Sequence, residues 1–185
     1  MRRHRAHGHG NADTRHVQLL AQSDGGVIVS QLQTYFDLSQ LHAAYSAAVD
    51  SNDWDRWIAL FIDDCEYKVQ PRENYERGFP LATLALLSKG MLRDRAYGIR
   101  ETLFHDPYYQ RHVVSQPLII SDDGDVIVTE TNYTVFRTKL SQETTVFNAG
   151  RYLDRVRRTA DGLRLASRLC IYDTEMIPNS LIYPI

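Results

Sequence analysis

The chain has 185 residues, 43% of them hydrophobic, and a formal net charge of -2. That length supports one domain with a real core, and the near-neutral balance argues against a general nucleic-acid binder. No run approaches the ~20 apolar residues of a membrane span, and the arginines near the start are not followed by the apolar stretch of a secretory signal. Cys65 and Cys170 are far apart in sequence and form no C-x-x-C pattern. They read as reduced thiols of a cytoplasmic protein. Only Lys68, Lys89 and Lys139 are lysines; the other basic residues are arginines. Genome composition explains such a bias, and so does a use for planar, bidentate ion pairs at buried interfaces.

Residues 1–30 differ from the rest. They hold His4, His7, His9 and His16, with Arg2, Arg3 and Arg5 and several glycines. A metal-binding tail is one reading. A disordered extension is the better one, because no scaffold fixes those imidazoles relative to one another. The folded domain is expected over residues 31–185. Thr34-Tyr35-Phe36-Asp37 has the form of a capping box and predicts a helix start near Thr34, with Leu38, Leu41, Tyr45 and Ala48 at helical spacing. Asn52 or Asp53 can cap a second, short helix carrying Trp54, Trp57, Ile58 and Phe61 on one stripe.

Cys65 to Gln70 predicts a short strand, and Pro71 to Pro80 an irregular segment. The spacing of Leu84, Leu87, Met91, Arg95 and Ile99 predicts a helix from Leu84 to Leu103, weakened at Gly90 and Gly98. His105 to His112 forms a polar, aromatic loop. A strand from Val113 to Ser121 carries Pro117, which suggests an edge or a bulge. Three long strands follow: Val126–Lys139, Thr145–Arg157 and Leu163–Tyr172. The first alternates with Ile127, Thr129, Thr131, Tyr133 and Val135 on one face. The last places Leu163, Leu165, Leu169 and Ile171 on one face, and Arg164 and Arg168 on the other. Asp161-Gly162 between the second and third suits a turn with positive φ. The pattern is an antiparallel meander that needs helices to cover one face, hence an α+β domain with a strongly curved sheet wrapped around N-terminal helices.

Outside residues 1–30 the histidines are His42, His105 and His112. A two-histidine, one-carboxylate iron site could use His105, Asp106 and His112, but adjacent residues of an extended segment diverge. No paired Cys/His motif of a Rieske cluster is present, nor any G-x-S-x-G, G-x-G-x-x-G or Walker pattern. Acid-base chemistry by His105, Asp106, His112, Tyr45 and Asp53 in a shared pocket remains open, although no spacing singles out a pair. No catalytic, cofactor-binding or metal-binding residue is therefore assigned.

Several stretches carry a resemblance. D-W-D-R-W-I-A-L-F-I-D-D-C-E-Y in this order of elements resembles the cystatin-like, nuclear transport factor 2-like cone. Q-P-R-E-N-Y-E-R-G-F-P-L, M-L-R-D-R-A-Y-G-I-R-E-T-L-F-H-D-P-Y-Y-Q-R-H, N-A-G-R-Y-L-D-R-V and S-R-L-C-I-Y-D-T-E-M-I-P-N-S-L-I-Y-P-I resemble the small, or beta, subunits of bacterial aromatic-ring-hydroxylating oxygenases, within them the salicylate 5-hydroxylase type. The resemblance implies a non-catalytic subunit that supports a hetero-hexamer of three large (alpha) and three small subunits. It implies that the Rieske cluster and mononuclear iron belong to the large subunit, and that NADH electrons arrive through a ferredoxin and a reductase. It also implies hydroxylation of an aromatic acid such as salicylate, with Asp94-Arg95 and Arg111-His112 as structural matches. The alternative is a free-standing cone-fold isomerase or dehydratase using His/Asp chemistry. Residues 173–185, with two prolines and many apolar side chains, are expected to build an intersubunit contact with Arg164 and Arg168 nearby.

Overall fold

A computed structural model describes residues 13–175, 177 and 180–185, with side chains from Gly26 onward except Val27. The histidine-rich reading of residues 1–12 lies outside these, as do Met176, Pro178 and Asn179 of the tail. The chain divides into two units, residues 1–36 and 37–185. Helix α1 (Asp13–Asp50) contributes to both. It begins about twenty residues before the expected Thr34. The capping-box pattern lies inside the helix, because the preceding residues include strong helix formers and no proline. Within the first unit, Ile28, Val29, Leu32 and Phe36 are exposed.

The second unit is the expected cone. After α1 come α2 (Trp54–Ala59), β1 (Phe61–Pro71), α3 (Arg72–Glu76), β2 (Leu84–Leu86), α4 (Lys89–Tyr97), β3 (Tyr108–Val114), β4 (Leu118–Asp122), β5 (Val126–Lys139), β6 (Thr145–Thr159) and β7 (Gly162–Tyr172). The sheet order is β2-β1-β7-β6-β5-β3, with β4 also paired to β5. β5, β6 and β7 form the meander, and β1 joins β7 in parallel. Gly162 has φ 97°, as the turn dipeptide requires. Among the described residues no helix is long and apolar enough to cross a membrane.

Two segments differ from expectation for local reasons. The stretch Leu84–Leu103 is not one helix. Leu84, Ala85 and Leu86 pair with β1, and Ser88 then caps α4 by accepting from the Met91 amide at 3.3 Å. Past Tyr97 the helix widens into a π-turn over Gly98–Thr102, where the Leu103 amide reaches back to the Gly98 carbonyl at 2.8 Å. The predicted strand Val113–Ser121 is instead two strands on β5, broken at Ser115–Pro117 because proline cannot donate to a ladder.

Trp54 and Trp57 are core anchors, as their helical stripe implies, with Trp57 edge-on to Phe61 and Tyr67 at 5.7 and 5.6 Å. Residues 181–185, expected to build an intersubunit contact, pack against their own domain. Ile185 is completely buried, and its carbonyl accepts from Tyr45 Oη at 2.6 Å and Tyr67 Oη at 3.1 Å. The Ile185 amide donates to Tyr67 Oη at 2.8 Å, and Arg95 Nη2 donates to the Leu181 and Ile182 carbonyls. The apolar cost of exposing such a segment is thus avoided within the chain.

Candidate functional site

The polar centre of the cone is an ion pair that alternation along β7 conceals. Ser167 pairs with Arg155 but Leu165 pairs with Val156, so β7 has one extra residue opposite that step. Such a bulge shifts the alternation by one. Leu165 points inward, and beyond the bulge so do Arg168, Cys170 and Tyr172. Arg168, expected on the outer face with Arg164, is therefore 1% exposed. Its guanidinium donates from Nε and Nη2 to both oxygens of Asp154, at 2.9 and 2.7 Å. It lies 4.0 Å from the ring centroids of both Tyr45 and Tyr152. This desolvated pair needs that good a geometry to offset its lost hydration.

The same Nη2 donates to His42 Nδ1 at 3.0 Å. A guanidinium can only donate, so Nδ1 is the acceptor and the ring proton sits on Nε2. Nε2 lies 3.5 Å from Thr131 Oγ1 and 3.8 Å from Asp154 Oδ2. Burial, helped by the adjacent Arg168 charge, lowers the His42 pKa to about 4. Burial likewise raises the Cys170 thiol to about 12 and drives the phenols of Tyr45, Tyr67 and Tyr152 well above their ordinary range. Near neutral pH the thiol and the phenols hold their protons and His42 is uncharged, so the centre carries one closed pair of charges.

A second cluster joins the end of α1 to β3. Asp50 Oδ1 lies 2.6 Å from His112 Nδ1, and the same carboxylate accepts from the His112 amide. Asp50 thus satisfies an amide of β3 and orients the ring above it. His112 Nε2 is buried without a partner among the described residues. A cleft of about 420 Å³ runs between one face of α1 (Ser39, His42, Ala43, Ser46) and the stretch from His112 to Pro117.

The residues that the sequence offered for acid-base work do not share a pocket. Tyr45 and His112 are neighbours inside the cone, with ring centroids 6.5 Å apart. Asp53 caps α2, accepting from the Arg56 amide. Asp106 pairs with Lys139 at the surface, which holds its carboxyl below the usual range. His105 bonds Tyr183 at the mouth of the cone. The three candidate iron ligands His105, Asp106 and His112 thus turn to three different partners. Among the described residues no three His, Cys, Asp or Glu side chains converge as a metal site. Cys65 and Cys170 are separate, buried thiols. This donor set does not fit a Rieske cluster or a mononuclear iron. Asp154, His42 and Arg168 escaped sequence reasoning. The inward row Tyr152, Asp154, Val156 was a signal for the first, since it sets a carboxylate among apolar groups; the bulge hid Arg168.

A helix-filled, curved sheet of this order is the SnoaL-like form of the cystatin-like cone, and the SnoaL-like domain family matches residues 30–169. The chain is 34% identical over 158 residues to the small subunit of anthranilate 1,2-dioxygenase from Burkholderia cepacia, covering 85% of this chain and 98% of that one. It is 32% identical to the beta 1 subunit of the terminal oxygenase component of terephthalate 1,2-dioxygenase from a Comamonas species, covering 80% and 96%. The crystal structure of a beta subunit assigned to an aromatic-ring-hydroxylating dioxygenase of Novosphingobium aromaticivorans superposes with a TM-score of 0.77 at 37% identity, covering 85% and 99%. The chain belongs to the small, or beta, subunits of aromatic-ring-hydroxylating dioxygenases.

Proposed function

We propose that this chain is a non-catalytic small subunit that supports assembly of a Rieske non-haem iron oxygenase. The complex hydroxylates an aromatic acid such as salicylate in the cytoplasm, as a hetero-hexamer of large and small subunits. The Rieske cluster and mononuclear iron sit in the large subunit, and NADH electrons reach them through a reductase and a ferredoxin. The observation that carries the non-catalytic reading is that the cone centre is spent on itself. Arg168, Asp154 and His42 bond one another, and residues 181–185 take up the hydroxyls of Tyr45 and Tyr67. Similarity to subunits of anthranilate and terephthalate dioxygenases supports an aromatic acid as substrate class.

The test is co-expression with a large oxygenase subunit of this family. The pair should co-purify and turn over an aromatic acid when supplied with NADH, reductase and ferredoxin. The small subunit purified alone and lacking residues 1–26 should contain less than about 0.1 iron per chain, since among the described residues no donor set that iron requires comes together. The second reading, a free-standing isomerase or dehydratase, is favoured by the Asp50–His112 pair, whose buried Nε2 has no partner among the described residues. It gains if His112→Ala folds and assembles normally yet abolishes all turnover.

A further inference from the structure

Tyr183 occupies its slot as a ligand would. Its ring lies 4.6 Å from the ring of Tyr108, 5.5 Å from Trp54 and 5.2 Å from His105, centroid to centroid. Its hydroxyl lies 2.8 Å from His105 Nε2. The other nitrogen of that imidazole, Nδ1, is 3.1 Å from the Leu103 carbonyl. A carbonyl can only accept, so Nδ1 carries the proton and Nε2 presents a lone pair. The slot therefore asks for two things together: a flat ring between aromatic walls, and a hydroxyl that donates at its end.

The way residues 180–185 are held is the second observation. Among the described residues no backbone–backbone hydrogen bond ties this segment to the sheet, and the last such bond runs from the Asp173 amide to the Ala149 carbonyl. Its polar anchors come from the side chains of Arg95, Tyr45, Tyr67 and His105. Leaving the slot breaks no strand pairing.

We infer that the slot formed by Trp54, His105 and Tyr108 is a binding site for a monocyclic phenol, filled in cis by Tyr183, which a free phenol displaces. The lone pair of His105 Nε2 selects phenols over hydrocarbons of the same shape, because an apolar ring would leave a half-buried acceptor unpaired. The tether and the anchors of the same segment, the buried Ile185 and the Arg95, Tyr45 and Tyr67 bonds, set the competition together, so a phenol acts on the full chain only well above the level that fills the vacated slot. Removing the occupant removes that penalty.

The experiment uses full-length protein with p-cresol and toluene as probes, Trp fluorescence as the binding signal, and hydrogen exchange over residues 181–185 as the displacement signal. In Tyr183→Ala, p-cresol should bind about ten-fold or more tightly than toluene. Adding His105→Ala should erase that preference. In the unsubstituted chain p-cresol should bind saturably, about ten-fold or more weakly than in Tyr183→Ala, and should speed exchange at residues 181–185. Tyr183→Phe, which keeps the ring and drops the hydroxyl, should fall between the two and keeps the test decisive if Tyr183→Ala does not fold. Equal affinity for toluene and p-cresol would overturn the inference. So would p-cresol binding to the variants with no change in exchange of the unsubstituted chain.

Discussion

Replacing Asp154 by Leu leaves the Arg168 guanidinium buried without its counter-ion. Both side chains of the pair are fully enclosed, and two short hydrogen bonds, 2.9 and 2.7 Å, link them. Breaking such a pair from one side costs about 3–5 kcal/mol, because the remaining charge keeps its desolvation penalty. Arg168→Met should cost about the same from the other side. The double variant Asp154→Leu/Arg168→Met removes both charges and substitutes apolar groups. Its remaining loss is the stacking of the guanidinium between Tyr45 and Tyr152, about 1–2 kcal/mol. The double should therefore be more stable than either single, with a coupling energy of about 4 kcal/mol or more. Urea unfolding followed by Trp fluorescence measures all four corners of the cycle. Each single should also lower Tm by about 6–20 °C for a domain of this size. Additive behaviour, or singles that cost under about 1 kcal/mol, would show that Arg168 reaches water and that the bulge does not bury it.

Three further outcomes follow from the same interior. His42 is neutral in the fold down to its pKa of about 4, whereas the unfolded chain protonates it near 6.5. Its contribution is complete above pH 6.5 and is lost as pH falls, by roughly 3 kcal/mol on reaching pH 4; His42→Gln should flatten the stability profile in that window alone. A Cβ at Gly150 would lie 2.0 Å from the Ile171 carbonyl oxygen and 2.8 Å from Tyr172 Cα. Gly150→Ala must therefore part β6 from β7 at a cost of about 1–3 kcal/mol or more, while Gly90→Ala in α4, whose nearest neighbour is 3.5 Å away, should gain about 0.5–1 kcal/mol; calorimetry of the two variants checks the sign of each. Ile185→Ala should cost about 2–5 kcal/mol in urea unfolding, because that side chain fills the core rather than a partner's surface, and an unchanged midpoint would contradict the burial.

The sequence by itself determined the meander, its turns and the two tryptophan anchors. Those signals are local: the inward row of Ile127, Thr129, Thr131, Tyr133 and Val135 follows from the two-residue period of a strand, and Asp161-Gly162 from the backbone freedom of one glycine. The stretches that resemble oxygenase small subunits were likewise legible residue by residue. The Arg168–Asp154–His42 centre was decided only by the tertiary structure. One extra residue in β7 turns an arginine from the outer face to the core, and a bulge depends on the partner strand rather than on the residues that flank it. The placement of Tyr183 and Ile185 has the same origin. Their apolar character demanded burial, but the hydroxyls that receive Ile185 belong to α1 and β1, more than a hundred residues earlier in the chain, the imidazole that receives Tyr183 is His105, and no local pattern encodes which surface lies within reach.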